Sequence, residues 1–263
     1  MTEKFQQSIA DSLEIDLQLL PHLPFLLQDL WALGSSVDLI IQVLKPLQLP
    51  KEEFRALDLG CGKGAVSIRL AEEYGIRVLG IDAMTPFLEV AREKARQHQV
   101  DQLCEFQQHD IHEFVKADHV FDLVILASLG GILGNLRQTI STLRSQVREK
   151  GYIIIDDGYL RKGNRLKRKG YEHCRSHNET VAELTGCGDT LLQEVSTEDL
   201  TRQINWHYFA VIEKRGKQLM TTHPELESLI KDYVDLQAEE IRVIEEKIAG
   251  ALWLLQKGKE NNT

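Results

Sequence analysis

"ALDLGCGKGAVSIRLAEEYGIRVLGIDAM", residues 56–84, decides the fold of this chain. It sets glycine at 60, 62 and 64, with Asp58 before them and Asp82 after. "RALDL" ahead of the glycines reads as a short strand, "AVSIRLAEEY" behind them as a helix, and "IRVLGID" as a second strand. In an open parallel sheet, ligands lie at the carboxyl ends of the strands. Glycine in the loop after the first strand admits positive φ and lets a ligand approach the backbone. The N-terminus of the next helix offers free N–H groups to an anionic group.

The same rhythm continues outward. "PFLEVAREKARQHQ" reads as a helix, "LCEFQQHD" as a strand, "HEFVKA" as a short segment and "FDLVILASL" as a buried strand. "NLRQTISTLRSQVREK" reads as a helix and "GYIIIDDG" as a fifth strand. Such alternation implies a mostly parallel sheet covered on both faces. Before it, "FLLQDLWALG" and "SSVDLIIQVLKPL" carry helical spacing, with Gly34 stopping the first and Ser35 or Ser36 capping the second. After it come a basic loop, a helix at "SHNETVAELTG", a strand at "DTLLQEV", two long helical patterns near 197–219 and 223–249, and a strand-like "ALWLLQK".

The 263 residues, 43% of them hydrophobic, suit one large α/β domain with additions. A net charge of -9 argues against a general nucleic-acid binder. "MTEKFQQSIADSLEIDLQLL" lacks a basic start followed by an apolar block, and no apolar run suits a membrane span, so a cytoplasmic protein is expected. Cys61, Cys104, Cys174 and Cys187 form no CxxC pair and read as reduced thiols.

Three nucleotide loops compete for the glycines. A phosphate-binding P-loop fails because Lys63 is followed by Gly64. A dinucleotide loop fits Gly60 and Gly62, but Ala65 holds its third glycine position. Asp58 would also repel a pyrophosphate. An acid at that place suits a ligand with a positive charge. Here "LDLGCGKGAVSIRLA" resembles motif I of the class I S-adenosylmethionine-dependent methyltransferases.

The resemblance implies a Rossmann-like, seven-stranded, mostly parallel sheet with helices on both faces. The sixth and seventh strands would be "DTLLQEV" and "ALWLLQK", the last antiparallel and inserted between strands five and six. It implies residues 51–196 and 250–257 as the core, 1–50 as an N-terminal helical cap and 197–249 as a helical insertion, in one integrated domain. By the same resemblance Asp58, Gly60, Cys61, Gly62 and Gly64 would hold the methionine part of S-adenosyl-L-methionine. Asp82 would take both ribose hydroxyls, which two carboxylate oxygens can accept. Ala83 and Met84 would lie along the adenine, and Asp110 with the backbone of Ile111 would meet its edge. Ala127 and Ser128 would stand near the methyl group, and Trp31 and Ser35 on an N-terminal segment would close over the cofactor. The segment "ASLGGILGN" is not the Asn-Pro-Pro-aromatic motif of methyltransferases that modify planar amino groups, which lowers those substrates.

Methyl transfer from a sulfonium needs positioning and desolvation more than a fixed catalytic side chain. Asp156, Asp157 and Tyr159 after strand five, and His207 on the predicted cap helix, are the candidates for acid–base work. "RKGNRLKRKG", residues 161–170, gathers six basic residues, either as a solvated loop or as a grip for an anion. "HCRSH" puts His173 and His177 one helical turn apart, with Cys187 beyond, but no metal is expected. The expected activity is methyl transfer to a small-molecule O, N or C acceptor, possibly an anion, with no nucleic acid and no membrane as partner. An RNA methyltransferase using loop 161–169, an NAD-dependent oxidoreductase and a non-catalytic cofactor-binding protein stand as alternatives. "LESLIKDYVDLQAEEIRVIEEKI" is amphipathic and suggests a homodimer through the C-terminal helices.

Overall fold

A computed structural model describes residues 3–50, 53–163 and 165–259. Among them one sheet holds seven strands: β1 (Arg55–Leu59), β2 (Arg77–Asp82), β3 (Cys104–Gln108), β4 (Phe121–Ala127), β5 (Val147–Leu160), β6 (Thr190–Ser196) and β7 (Ile248–Gln256). Their order is β3-β2-β1-β4-β5-β7-β6, and β7 runs antiparallel to both of its neighbours. This is the Rossmann-like sheet that the resemblance implied.

Helices α1 (Glu3–Ser12), α2 (Leu23–Leu26) and α3 (Val37–Leu44) precede the sheet. Helices α4 (Ala65–Tyr74), α5 (Thr85–Gln97), α6 (Ile111–Phe114), α7 (Leu136–Arg144) and α8 (His177–Thr185) follow successive strands. The long helices α9 (Glu198–Thr222) and α10 (Glu227–Lys247) lie between β6 and β7. All seven residues of β4 are buried, as the centre of a two-sided sheet requires. One face packs Leu57, Val124, Ile153 and Trp253 against Leu136 and Ile140 of α7. The other packs Leu123, Ile125 and Leu254 against Ile40 and Leu44 of α3 and Val66 and Leu70 of α4. Thus α3 serves the sheet core, while the earlier N-terminal residues do not.

Those earlier residues join α9 and α10 in a third cluster. Leu19, Leu23, Leu26 and Leu30 meet Ile212, Leu219, Ile230 and Tyr233, with Met84 and Phe87 beneath them from the carboxyl end of β2. These segments therefore pack together over the carboxyl end of β2. On α10, Ile230, Tyr233 and Ile241 are buried within the chain, while Leu229, Val234, Leu236, Val243 and Ile244 are only partly covered.

Two boundaries differ from the sequence-based expectation. "FLLQDLWALG" is not a helix beyond Leu26; residues 27–34 form turns and bends. Its free carbonyls are held by a distant lysine, described below. The helix after Asn135 ends at Arg144, and Val147–Lys150 open β5 instead. The polar run "VREK" fits a helix by pattern, but Val147 pairs with Phe121 of β4.

Candidate active site

Strand order reverses between β1 and β4, so the loops after them part at the carboxyl edge. The loop after β1 is fastened to the end of β2. Gly60 and Cys61 both donate their amides to the Ile81 carbonyl, at 2.7 and 2.9 Å. One residue further, Asp82 accepts from the Gly62 amide with Oδ2 and from the Met84 amide with Oδ1, each at 2.8 Å. A single carboxylate thus sets the glycine loop and the start of α5. Burial pushes the Asp82 carboxyl up, and the Met84 and Gly62 amides pull it back.

Asp58 stands just before this loop. It is 2% exposed, and its Oδ2 accepts from the Ser67 hydroxyl of α4 at 2.6 Å. Burial raises its carboxyl to about 6, against the lowering pull of Ser67 and with a further rise from the charge of Asp82. Ser67 of α4 thus holds the Asp58 carboxylate in place. Gly64 closes the loop in left-handed conformation as the residue before α4.

The outer face of the loop is covered by two leucines. Gly60 has φ +71°, and a Cβ there would collide with the side chain of Leu129, from the loop after β4. A Cβ on Gly62 would lie 3.1 Å from Leu33, on the N-terminal strap of residues 27–36. The bare backbone is what permits this close approach.

Lys63 latches the strap. Its Nζ donates to the Leu27 carbonyl at 2.5 Å and the Leu30 carbonyl at 2.7 Å, and its own carbonyl accepts from Trp31 Nε1 at 3.0 Å. Burial lowers the Lys63 ammonium to about 8, partly offset by Asp29. Farther along the strap, Tyr208 of α9 donates its hydroxyl to the Ala32 carbonyl at 2.5 Å. Gly34 abuts Ser128, a Cβ on the glycine lying 3.3 Å from the serine Cβ. The Ser36 amide donates to Asp156 Oδ2 at 2.7 Å.

The expected cofactor residues converge here, with differences of detail. Trp31 touches the glycine loop directly. Ser35 is half-buried and offers its carbonyl to the Val37 amide, while its neighbour Ser36 engages Asp156. No side chain caps α3; the buried carboxylate of Asp156 does that work across the sheet. Ala83 and Met84 pack into the cap cluster. Asp110 caps α6, accepting from the His112 amide at 2.8 Å, and Ile111 is buried in the sheet core. His112 also reaches the Ile132 carbonyl at 2.9 Å, tying α6 to the loop after β4. Ala127 is buried, and Ser128 is exposed with φ +57°, its amide donating to the Asp156 carbonyl at 2.8 Å.

The acid–base candidates separate. Asp156 is buried, and burial raises its carboxyl to about 6 against the Ser36 amide. Asp157, on the opposite face of β5, accepts from His173 Nε2 at 2.7 Å. Burial lowers the His173 imidazolium, but Asp157 and Cys174 outweigh it and hold it up at about 10. Tyr159 is half-buried, packed edge-on to His177 and against Trp253 at the margin of the sheet core. His207 is exposed on α9, and the helix reaches the strap through Tyr208 instead, because the 3.6-residue repeat turns adjacent positions about 100° apart. Leu129, Gly130, Ile155, Asp156 and Asp157 gather under the loop after β4 with no water-sized space between them.

The basic loop is partly tied down. Arg161 pairs with Glu198 at 2.8 Å, and Arg168 binds both oxygens of Glu14 at 2.8 Å. Lys162, Arg165, Lys167 and Lys169 remain exposed. His173 and His177 do not converge, because α8 begins only at His177, which binds Glu194 at 2.8 Å. Ser67 and Leu129 went unread in the sequence, Lys63 was read only as a misplaced P-loop lysine, and His173 only as a helical partner of His177. Lys63 and His173 act through partners that are not their neighbours in the chain, Leu27 and Leu30 for the first and Asp157 for the second.

The arrangement has known relatives. YqeM of Bacillus subtilis, whose name assigns it provisionally to the methyltransferases, is 41% identical over 110 residues, 40% of this chain and 42% of that one. The ubiquinone biosynthesis O-methyltransferase of Rickettsia akari is 32% identical over 99 residues, 38% of each chain. This chain therefore spans about two fifths of the length of these curated relatives. Among solved structures, a SAM-dependent methyltransferase from Thiobacillus denitrificans in complex with S-adenosyl-L-homocysteine superposes with a TM-score of 0.73. It is 19% identical and covers 89% of this chain and 96% of its own, a likeness of fold. The sequence model of a family described as a methyltransferase domain matches residues 50–216, from the approach to β1 into α9, and the chain belongs to that family.

Proposed function

We propose that the protein is an S-adenosylmethionine-dependent methyltransferase acting on a small-molecule acceptor. The observation that carries the reading is the Asp82 clamp. Its carboxylate lies at the end of β2, held by the amides of Gly62 and Met84, beside glycines whose backbone admits close approach. These residues fit the cofactor. Each Asp82 oxygen accepts one backbone amide and keeps a second acceptor site for a ribose hydroxyl. The Gly60–Gly64 backbone suits the methionine part.

When bound, the cofactor supplies a methyl group on a positively charged sulfur. The chain's own residues position and dry the site. Leu33 and Leu129 cover the glycine loop, and the strap and α9 close it from above, which keeps water from the reacting groups. Asp156 is engaged with Ser36 and holds the strap; its partner and its burial fit a positioning role. A cap of this kind favours an acceptor small enough to be enclosed. The four exposed cations of loop 161–169 favour testing anionic acceptors first.

Calorimetric titration with S-adenosylmethionine, S-adenosylhomocysteine and NAD tests the reading, on wild type and Asp82→Ala. Binding of both sulfur ligands, lost in the variant, is expected, followed by turnover with a small acceptor. Binding of NAD in their place would return the glycine loop to the dehydrogenases.

A further inference from the structure

We infer that Asp157, His173 and Cys174 form a binding site for a divalent cation of the zinc class. Binding of the ion stands on geometry alone and is independent of the proposed function. His173 Nε2 lies 2.7 Å from Asp157 Oδ2 and 3.7 Å from Cys174 Sγ. One ligand atom from each of the three falls within 4.8 Å of the others. Zinc bonds sulfur at about 2.3 Å and imidazole nitrogen at about 2.0–2.1 Å, so a tetrahedral edge between them is about 3.6 Å. The sulfur–nitrogen spacing already matches. The nitrogen–oxygen spacing of 2.7 Å needs to open by about 0.6–0.8 Å to fit the same geometry.

The donors are held on rigid backbone. Asp157 lies within β5, paired with Ala251 of β7, and the Gly158 amide fixes its other oxygen at 2.8 Å. The segment carrying His173 and Cys174 is fastened to the same strand, with Leu160 donating to the Arg175 carbonyl at 2.8 Å. Cys174 is fully buried against Leu160 and Ile248. Gly131 leaves room for the imidazole, since a Cβ there would lie 2.9 Å from His173 Nδ1. A carboxylate, a thiolate and a neutral imidazole carry two negative charges, which a divalent cation neutralises in a site that excludes water.

Loading the site breaks the His173 Nε2–H bond and the Cys174 S–H bond and releases both protons to solvent. Three protein donors leave a fourth tetrahedral position, the pattern of catalytic rather than structural zinc.

Titration of the full chain with cobalt(II) reads the site directly, through the thiolate-to-cobalt charge-transfer absorption. One equivalent is expected to saturate that band, Cys174→Ser to abolish it, and Asp157→Asn to weaken binding at least tenfold. Circular dichroism of each variant reports folding, and the cofactor calorimetry above runs separately, so either reading can fail alone. Absence of a saturable band in wild type, or a band that survives Cys174→Ser, would overturn the proposal. If Cys174→Ser does not fold, unchanged cobalt affinity in folded Asp157→Asn would do the same.

Discussion

Lys63 donates to the Leu30 carbonyl at 2.7 Å, so the glycine loop and the N-terminal strap are one latched unit. Lys63→Met keeps the length of the side chain and removes both hydrogen bonds. A charged hydrogen bond is worth about 1.5–3 kcal/mol, and its loss leaves buried carbonyls without a partner. We expect a loss of about 1–3 kcal/mol in chemical denaturation, with faster amide exchange confined to residues 27–36. Unchanged exchange in the strap would show that the latch does not hold it.

Gly60→Ala forces a side chain into left-handed backbone at φ +71° and against Leu129. The conformational cost alone is roughly 1–2 kcal/mol. Affinity for S-adenosylhomocysteine should fall steeply in the same variant, read by calorimetry. Adding Leu129→Ala relieves the collision, so the double variant should regain part of the stability but keep the backbone strain. A double variant no more stable than Gly60→Ala would remove Leu129 from the account.

The buried carboxyl of Asp58 titrates at about 6 in the folded chain against 3.8 for an ordinary aspartate. Raised in this way, it favours the fold fully below pH 4 and loses that contribution as pH rises through 6. The shift corresponds to about 3 kcal/mol at neutral pH. Asp58→Asn keeps an oxygen to accept from Ser67 and removes the ionisation. Its stability relative to wild type should therefore be greater at pH 7.5 than at pH 4.5, measured by urea unfolding at both. Parallel pH profiles for the two proteins would refute the burial argument.

Tyr208→Phe removes the hydroxyl that reaches the Ala32 carbonyl and leaves the ring in place. The net loss should be about 0.5–1.5 kcal/mol. Exchange at Ala32 and its neighbours should quicken, while the sheet amides stay protected. If the sheet loosens equally, the tyrosine supports the whole fold and not the strap.

The sequence shows most plainly what is local. Glycines at alternate positions and acids at strand ends lie within one strand–loop–helix unit, so the loop was legible from its spacing, while the roles of its residues came from the resemblance. The orientation of Asp58 was not readable, because Ser67, which holds it, is an ordinary small residue on a helix. "FLLQDLWALG" looked helical because its apolar spacing suits packing on α9 and α10; Lys63, thirty-three residues from Leu30, sets its actual path. His173 looked like half of a helical pair with His177. Its real partner, Asp157, faces it across a loop whose course no periodicity reveals. His207 stood out by residue type, but the direction of α9 brings its neighbour Tyr208 to the strap instead.

The insertion of β7 between β5 and β6 has a consequence for synthesis. Every ladder partner of β6 lies on β7, which is made more than fifty residues later. Strands β1 to β5 can pair while the ribosome is still working, but β6 stays unpaired until residues 248–256 have emerged. During that interval the nascent chain exposes one side of β5 together with a loose, half-apolar strand. A chaperone that binds extended segments would find its target there, and translation pauses within α9 or α10 would lengthen the exposure.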